Sequence, residues 1–224
     1  MSQDDDQASQ QMVGDPLVMK AIAASIANPI ACTLDRPDSC FYNVFPGEHY
    51  RFLQGLVQEL VPRSVVEIGT FTGMSARVIL DVASRDCQLH TYDLVPWPAF
   101  PSHLTDADFA SGRLRQHLDD LADPSCFEAH LQRLNDAELI FCDGPKDGMF
   151  EYRFLQLLAG VELSKQRRYL VLDDIRFLNM LDLWRSIDSP KLDLTSFGHW
   201  SGTGLVDLSA GLKLRDLDRP ASNA

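Results

Sequence analysis

Four residues of this 224-residue chain have the types and spacing to do chemistry together: Asp143 and Lys146 after the apolar run Leu139-Ile140-Phe141-Cys142, and Asp173-Asp174 after Tyr169-Leu170-Val171-Leu172. Each run reads as a short buried strand, and if the two strands are parallel neighbours their acidic ends meet on one edge of the sheet. Like charges held that close are costly unless a cation or a shifted pKa compensates. Carboxylate oxygens with open water positions are what Mg²⁺ prefers. The inference is a hard divalent metal held by Asp143, Asp173 and Asp174.

A second constellation comes earlier. Val65-Val66-Glu67-Ile68-Gly69-Thr70-Phe71-Thr72-Gly73-Met74-Ser75-Ala76 reads as strand, tight turn and helix start. Its two glycines let the backbone turn sharply and approach a ligand without a Cβ in the way. The helix N-terminus after the turn offers free N–H groups to a carboxylate or phosphate, as nucleotide and nucleoside sites do. A dinucleotide fingerprint needs G-x-G-x-x-G, and Phe71 occupies its middle glycine. That argues against a nicotinamide-dependent oxidoreductase; an unliganded α/β turn is the plainer alternative. Asp93, at the end of the strand-like Leu89 to Tyr92, lies about twenty positions past Gly73, where an acidic residue accepts hydrogen bonds from ribose hydroxyls.

The remaining pattern, acidic-x-Gly-x-x-x-Gly with Glu67 at the strand end, resembles the first motif of the class I S-adenosylmethionine-dependent methyltransferases. Asp-x-x-Lys at 143–146, followed by Asp173-Asp174 where relatives show Asp-Asn, narrows the resemblance to the metal-dependent catechol and caffeoyl-coenzyme A type O-methyltransferases. Tyr42-Asn43-Val44 is similar to the segment that lies over the cofactor in the catechol enzymes. The resemblance covers roughly residues 42 to 208. It implies cofactor contacts from Asn43, Val44, Glu67, Gly69, Thr70, Phe71, Gly73, Ser75, Asp93 and Asp119, the last at the adenine amino group. Two departures stand out: Asp174 adds a negative charge, and Gly144-Pro145 replaces bulky residues, including an aromatic against the adenine.

The chemistry so implied is an in-line methyl transfer that needs an aligned, anionic acceptor oxygen. A metal on Asp143, Asp173 and Asp174 would lower the pKa of a chelating hydroxyl, as it does for water. Lys146 would take the proton as a neutral amine, favoured by the metal, the sulfonium and the start of a helix near Met149, and opposed by its carboxylate neighbours. Chelation points to a catechol-like or vicinal-diol small molecule. Simpler roles exist for each residue: Lys146 as a turn lysine beside an Asp147 cap, and Asp173-Asp174 as caps for the next helix. A non-catalytic or metal-independent S-adenosylmethionine binder would need no more.

The elements that position these residues follow from periodicity. Strands are expected at 65–68, 89–92, 114–117, 139–142, 169–172, 192–197 and 205–208, mostly separated by helical stretches. That alternation predicts a doubly wound, Rossmann-like α/β sheet of seven strands with helices on both faces. The loop around His199-Trp200-Ser201-Gly202-Thr203 that joins the last two strands is too short for a crossover helix, so the last strand should be reversed. Residues 1–14 read as a disordered acidic tail, 15–45 as an N-terminal helix and leading loop, 46–214 as the methyltransferase domain, and 215–224 as a C-terminal tail. The N-terminal helix could serve a homodimer contact.

A net charge of −12 argues against nucleic-acid or anionic-membrane partners. The start of the chain has no basic and apolar leader, which predicts a cytoplasmic protein. Five cysteines without a C-x-x-C pair fit reduced thiols. The proline-rich 95–101 segment suggests a substrate lid. Phe41, Trp97, Phe100, His199 and Trp200 are candidates for an acceptor pocket, and His49, at a helix start, could reach the cofactor edge or be a half-exposed helix histidine.

Overall fold

The structure, a computed structural model, describes residues 10–31, 38–44, 49–164, 166–196 and 200–215. Helices α1 (Gln10–Val13), α2 (Pro16–Ala27) and α3 (His49–Leu60) precede strand β1 (Ser64–Ile68). Then follow α4 (Met74–Val82), β2 (Gln88–Tyr92), α5 (Asp106–Ala110), β3 (Leu114–His117) and α6 (Pro124–Asp136). The chain continues through β4 (Leu139–Cys142), α7 (Phe150–Ala159), β5 (Tyr169–Asp173), α8 (Met180–Ser186), β6 (Lys191–Asp193) and β7 (Thr203–Asp207).

The seven strands lie in the order β3-β2-β1-β4-β5-β7-β6. β1 to β5 pair in parallel, and β7 runs antiparallel to both β5 and β6. This is the expected sheet with its reversed last strand. β6 is shorter than the sequence pattern suggested. Asp193 accepts the Thr195 N–H at 2.9 Å, which turns the chain out of the ladder.

Adjacent β-branched residues of β1 face opposite layers, as the strand period requires. Val65 joins Phe52, Leu56, Ile79 and Phe141 on one side of the sheet, and Val66 joins Phe127, Phe154, Leu170 and Leu183 on the other. Both faces being covered explains why the central strands are apolar throughout.

Structure begins earlier than the sequence suggested. Gln10–Val13 forms a helical turn with Met12 buried, inside the segment read as a tail. Residues 1–9, most of the C-terminal tail and Cys32 lie outside the described residues. Cys40, Cys87, Cys126 and Cys142 are free thiols. Among the described residues no helix is long and apolar enough to cross a membrane. The 95–101 segment is largely exposed, with Trp97 and Phe100 half-buried. Trp97 stacks on Phe109 at 5.0 Å, and its N–H donates to Gln116 Oε1 at 2.9 Å.

Candidate active site

The glycine turn is forced by close backbone approach. Gly69 has φ +96°, and a Cβ there would stand 2.1 Å from the Asp143 carbonyl oxygen. Gly73, at φ +75°, caps α4 where a Cβ would strike Leu104 at 2.5 Å. Between them Phe71 is held at φ 40°, a costly conformation for an aromatic residue. Asp93 holds that turn in place: its carboxylate accepts the Phe71 N–H at 2.9 Å and the Val95 N–H at 3.0 Å. Beneath it the Thr70 and Thr91 hydroxyls meet at 2.7 Å.

A cavity of about 620 Å³ opens on this turn, and Gly69, Phe71, Asp93, Asp119 and Asp143 all line it. Glu67, Thr70 and Ser75 are buried instead in the layer below. Burial pushes the Glu67 carboxyl up to about 7, against the Ser75 and Thr91 hydroxyls, which pull it down. Neither Glu67 oxygen meets hydrogen-bond geometry with a described residue. Asn43 and Val44 do not line the cavity. The Asn43 amide is engaged with the Ile30 N–H at 2.7 Å and the Ile30 carbonyl at 2.8 Å, and Val44 is exposed.

The far end of the cavity supplies an aromatic residue that sequence reasoning missed. Phe150, the first residue of α7, lines it beside Gly144, Pro145 and Leu121. A Cβ on Gly144 would reach the Phe150 ring at 3.0 Å, so the small residue makes room for the ring. Asp119 is held there by His130 Nε2 at 2.8 Å.

At the ends of β4 and β5 the predicted cluster forms. Lys146 Nζ bonds Asp143 and lies 3.0 Å from Asp174 Oδ2 and 3.7 Å from Asp173 Oδ2. Asp174 adopts φ 58°, a left-handed conformation that Asp and Asn tolerate better than other side chains. The Lys146 loop is fixed from α7. Buried Glu151 accepts the N–H groups of Lys146 at 2.8 Å and Gly148 at 3.2 Å, and Asp147 caps the helix through the Met149 and Phe150 N–H groups. Glu151 escaped sequence analysis because its helical position reads as a surface face.

Burial and the carboxylates act on Lys146 in opposite directions. Burial alone would lower the Lys146 pKa, yet Asp143, Asp173 and Asp174 outweigh it and hold the amine well above its ordinary value. That direction opposes the neutral amine a base requires, as the carboxylate neighbours of Lys146 led one to expect. Burial, together with Asp173, raises the Asp143 carboxyl against the pull of Lys146.

His49 is buried rather than half-exposed. It is only 5% exposed, its Nδ1 lies 3.9 Å from Asp173 Oδ1, and its ring stacks on Phe141 at 6.1 Å. One donor atom each from His49, Asp143 and Asp173 lie within 4.8 Å of one another. The carboxylate oxygens are of the kind a hard divalent cation takes, and the Lys146 ammonium lies among them.

Of the acceptor-pocket candidates, Trp97 is half-buried against the core, Trp200 is 64% exposed against Phe177, and His199 lies outside the described residues. Phe100 packs on Phe71 at 4.9 Å, while Phe41 remains exposed.

Residues 66–175, which run from the glycine turn to just past Asp174, match the family described as Methyltransferase domain. The chain carries a stretch that matches a methyltransferase domain, on a Rossmann-like methyltransferase sheet. Solved structures of the same fold include a Staphylococcus aureus protein proposed to be a caffeoyl-CoA O-methyltransferase, 13% identical, covering 91% of this chain and 94% of that one at TM-score 0.51. The methyltransferase PaMTH1 of Podospora anserina, solved with S-adenosylhomocysteine bound, is 15% identical over 90% of this chain and 89% of that one, TM-score 0.51. A Geobacter sulfurreducens methyltransferase is 20% identical over 90% of each chain, TM-score 0.50. No curated protein matches the chain. In this methyltransferase domain both constellations lie within the matched span, and His49 lies before it.

Proposed function

We propose that the protein is an S-adenosylmethionine-dependent O-methyltransferase that acts, with a divalent cation such as Mg²⁺, on a catechol-like or vicinal-diol small molecule. The position of Asp143 carries this reading. It lines the cofactor cavity and also belongs to the carboxylate cluster, so donor and acceptor sites share one residue. Relatives of the same fold bear names that fit, among them the S. aureus protein and the S-adenosylhomocysteine-bound PaMTH1.

Asp93 and the turn N–H groups would hold the ribose side of the cofactor, and Phe150 with Asp119 the adenine. Asp143, Asp173 and Asp174 would hold the cation. When bound, the cation chelates the acceptor hydroxyl and lowers its pKa. Asp143 fixes the direction from the cofactor cavity to the acceptor, which an in-line displacement requires. Lys146 keeps its proton while three carboxylates face it. It becomes a competent acceptor at Nζ only when that negative charge is neutralised from elsewhere.

The free thiols suit a cytoplasmic setting, and the net charge of −12 supports a small-molecule acceptor over nucleic acid or an anionic membrane. Exposed Val13, Met19 and Ile26 support self-association through the N-terminal helices. One observation favours a metal-independent alternative: the Lys146 ammonium already compensates part of the cluster.

A methylation assay with a panel of aromatic and sugar hydroxyl acceptors and radiolabelled donor tests the reading. EDTA should abolish transfer and Mg²⁺ restore it. EDTA-insensitive transfer would select the metal-independent alternative, and failure to bind S-adenosylhomocysteine in a calorimetric titration would end the methyltransferase assignment.

A further inference from the structure

The cation cluster contains a donor that the three carboxylates do not require. His49 is the first residue of α3, and its position in the sequence lies 124 residues from Asp173, yet its ring is buried against the cluster with Nδ1 3.9 Å from Asp173 Oδ1. The imidazole plane is set by its neighbours: Phe141 stacks on it at 6.1 Å with 19° between the rings, and Tyr50 lies at 4.1 Å. A ring gripped in this way presents its nitrogens in a fixed direction before anything binds. One donor atom from each of His49, Asp143 and Asp173 lies within 4.8 Å of the others. Ligands on one octahedral cation with bonds of about 2.1 Å stand roughly 3 Å apart when adjacent and roughly 4.3 Å when opposite. The observed set therefore needs side-chain adjustment, with the Lys146 ammonium moved off the carboxylates, to close on a single ion.

We propose that His49 is a nitrogen ligand of the divalent cation in this site, completing a His49, Asp143, Asp173 and Asp174 donor set. This rests on the proposed metal-assisted reading and extends it. An all-oxygen site suits Mg²⁺. Adding an imidazole shifts preference toward Mn²⁺, Fe²⁺ and Co²⁺, which accept nitrogen readily and bind a given mixed site more tightly in that order. The native cation would then be a first-row transition metal, with Mg²⁺ a weaker substitute.

Binding of Mn²⁺ to the full chain, followed by electron paramagnetic resonance without any substrate, tests this. The wild type should bind Mn²⁺ with a nitrogen coupling in the pulsed spectrum. His49→Ala and His49→Gln should lose that coupling and weaken Mn²⁺ about tenfold or more, while Mg²⁺ affinity, read by competition, changes much less. S-adenosylhomocysteine affinity and the melting profile verify that the variants are folded, and if both variants fail to fold, His117→Gln decides: coupling that persists in it supports His49, and coupling lost with it overturns the inference. Mn²⁺ bound without nitrogen coupling overturns the inference alone. So does coupling that survives in His49→Ala, which would place the ion at the other mixed cluster, His117, Asp119 and His130. Failure of the wild type to bind any Mn²⁺ or Mg²⁺ overturns both this inference and the metal-assisted reading.

Discussion

Lys146 is pulled in opposite directions by its surroundings, and the outcome depends on charge count. Three carboxylates against one ammonium leave the cluster with excess negative charge, which keeps the proton on Lys146. Replacing it by Met removes both the compensating charge and the candidate base. Methyl transfer should fall by about 10² to 10⁴ while S-adenosylhomocysteine affinity stays within roughly threefold. Unchanged turnover at neutral pH would remove Lys146 from the mechanism. The four cluster residues could be read from the sequence because each sits just past an apolar run. The burial of His49 beside Asp173 and the place of Phe150 could not. His49 reaches the site through the packing of α3 against the sheet, and Phe150 through the space left by Gly144.

Glu67 gives a residue-scale prediction with a definite sign. Burial raises its pKa from 4.5 to about 7, so the folded protein binds a proton that the unfolded chain has released. The associated stability is fully present below about pH 4.5 and is lost as pH rises through about 7, an effect of up to about 3 kcal/mol. Denaturant unfolding of the cofactor-free protein should therefore show stability falling between about pH 5 and pH 8. Glu67→Gln, neutral throughout, should flatten that slope; parallel profiles for the two proteins would show that Glu67 is not the titrating group.

At the scale of elements, the glycine turn joins β1 to α4 and passes hard against the end of β4. Gly69→Ala would put a Cβ into the Asp143 carbonyl and force a left-handed φ on a residue that resists it. The backbone strain alone costs about 1 to 3 kcal/mol, before the clash. Chemical denaturation should show a loss above that range, with S-adenosylhomocysteine binding abolished, and a loss under about 1 kcal/mol would mean the turn can relax. Element boundaries were legible where runs were short, apolar and sharply punctuated: β3 and β4 fall at 114–117 and 139–142, as the pattern predicted. β6 was overextended because the Asp193 side chain, not hydrophobicity, ends it.

At the scale of the whole molecule, the N-terminal helices act as a strap across one face of the sheet. Met12, Val18 and Ala21 share a core with Val65, Phe141 and Val171. α2 lies so close to α3 that a Cβ on Gly55 would reach the Ala21 carbonyl at 2.6 Å. Two polar ties reach the far half of the chain: the Tyr169 hydroxyl donates to Asp15 at 2.6 Å, and Gln11 Nε2 to Asp207 at 3.0 Å. Contacts separated by 154 and 196 residues leave no local pattern, which is why the first fourteen residues read as a tail. If the strap belongs to the cooperative core, its loss must cost far more than the ties alone. Tyr169→Phe should cost about 1.5 to 3 kcal/mol, the range for a hydrogen bond to a charged group. Deleting residues 1–28 should broaden the denaturant transition and weaken S-adenosylhomocysteine binding, because α3, now bare on one side, carries the residues packed beneath β1 and β4. A deletion variant that unfolds as sharply and binds as tightly as the full chain would make the strap an accessory, and would separate the fold of the domain from its N-terminal helices.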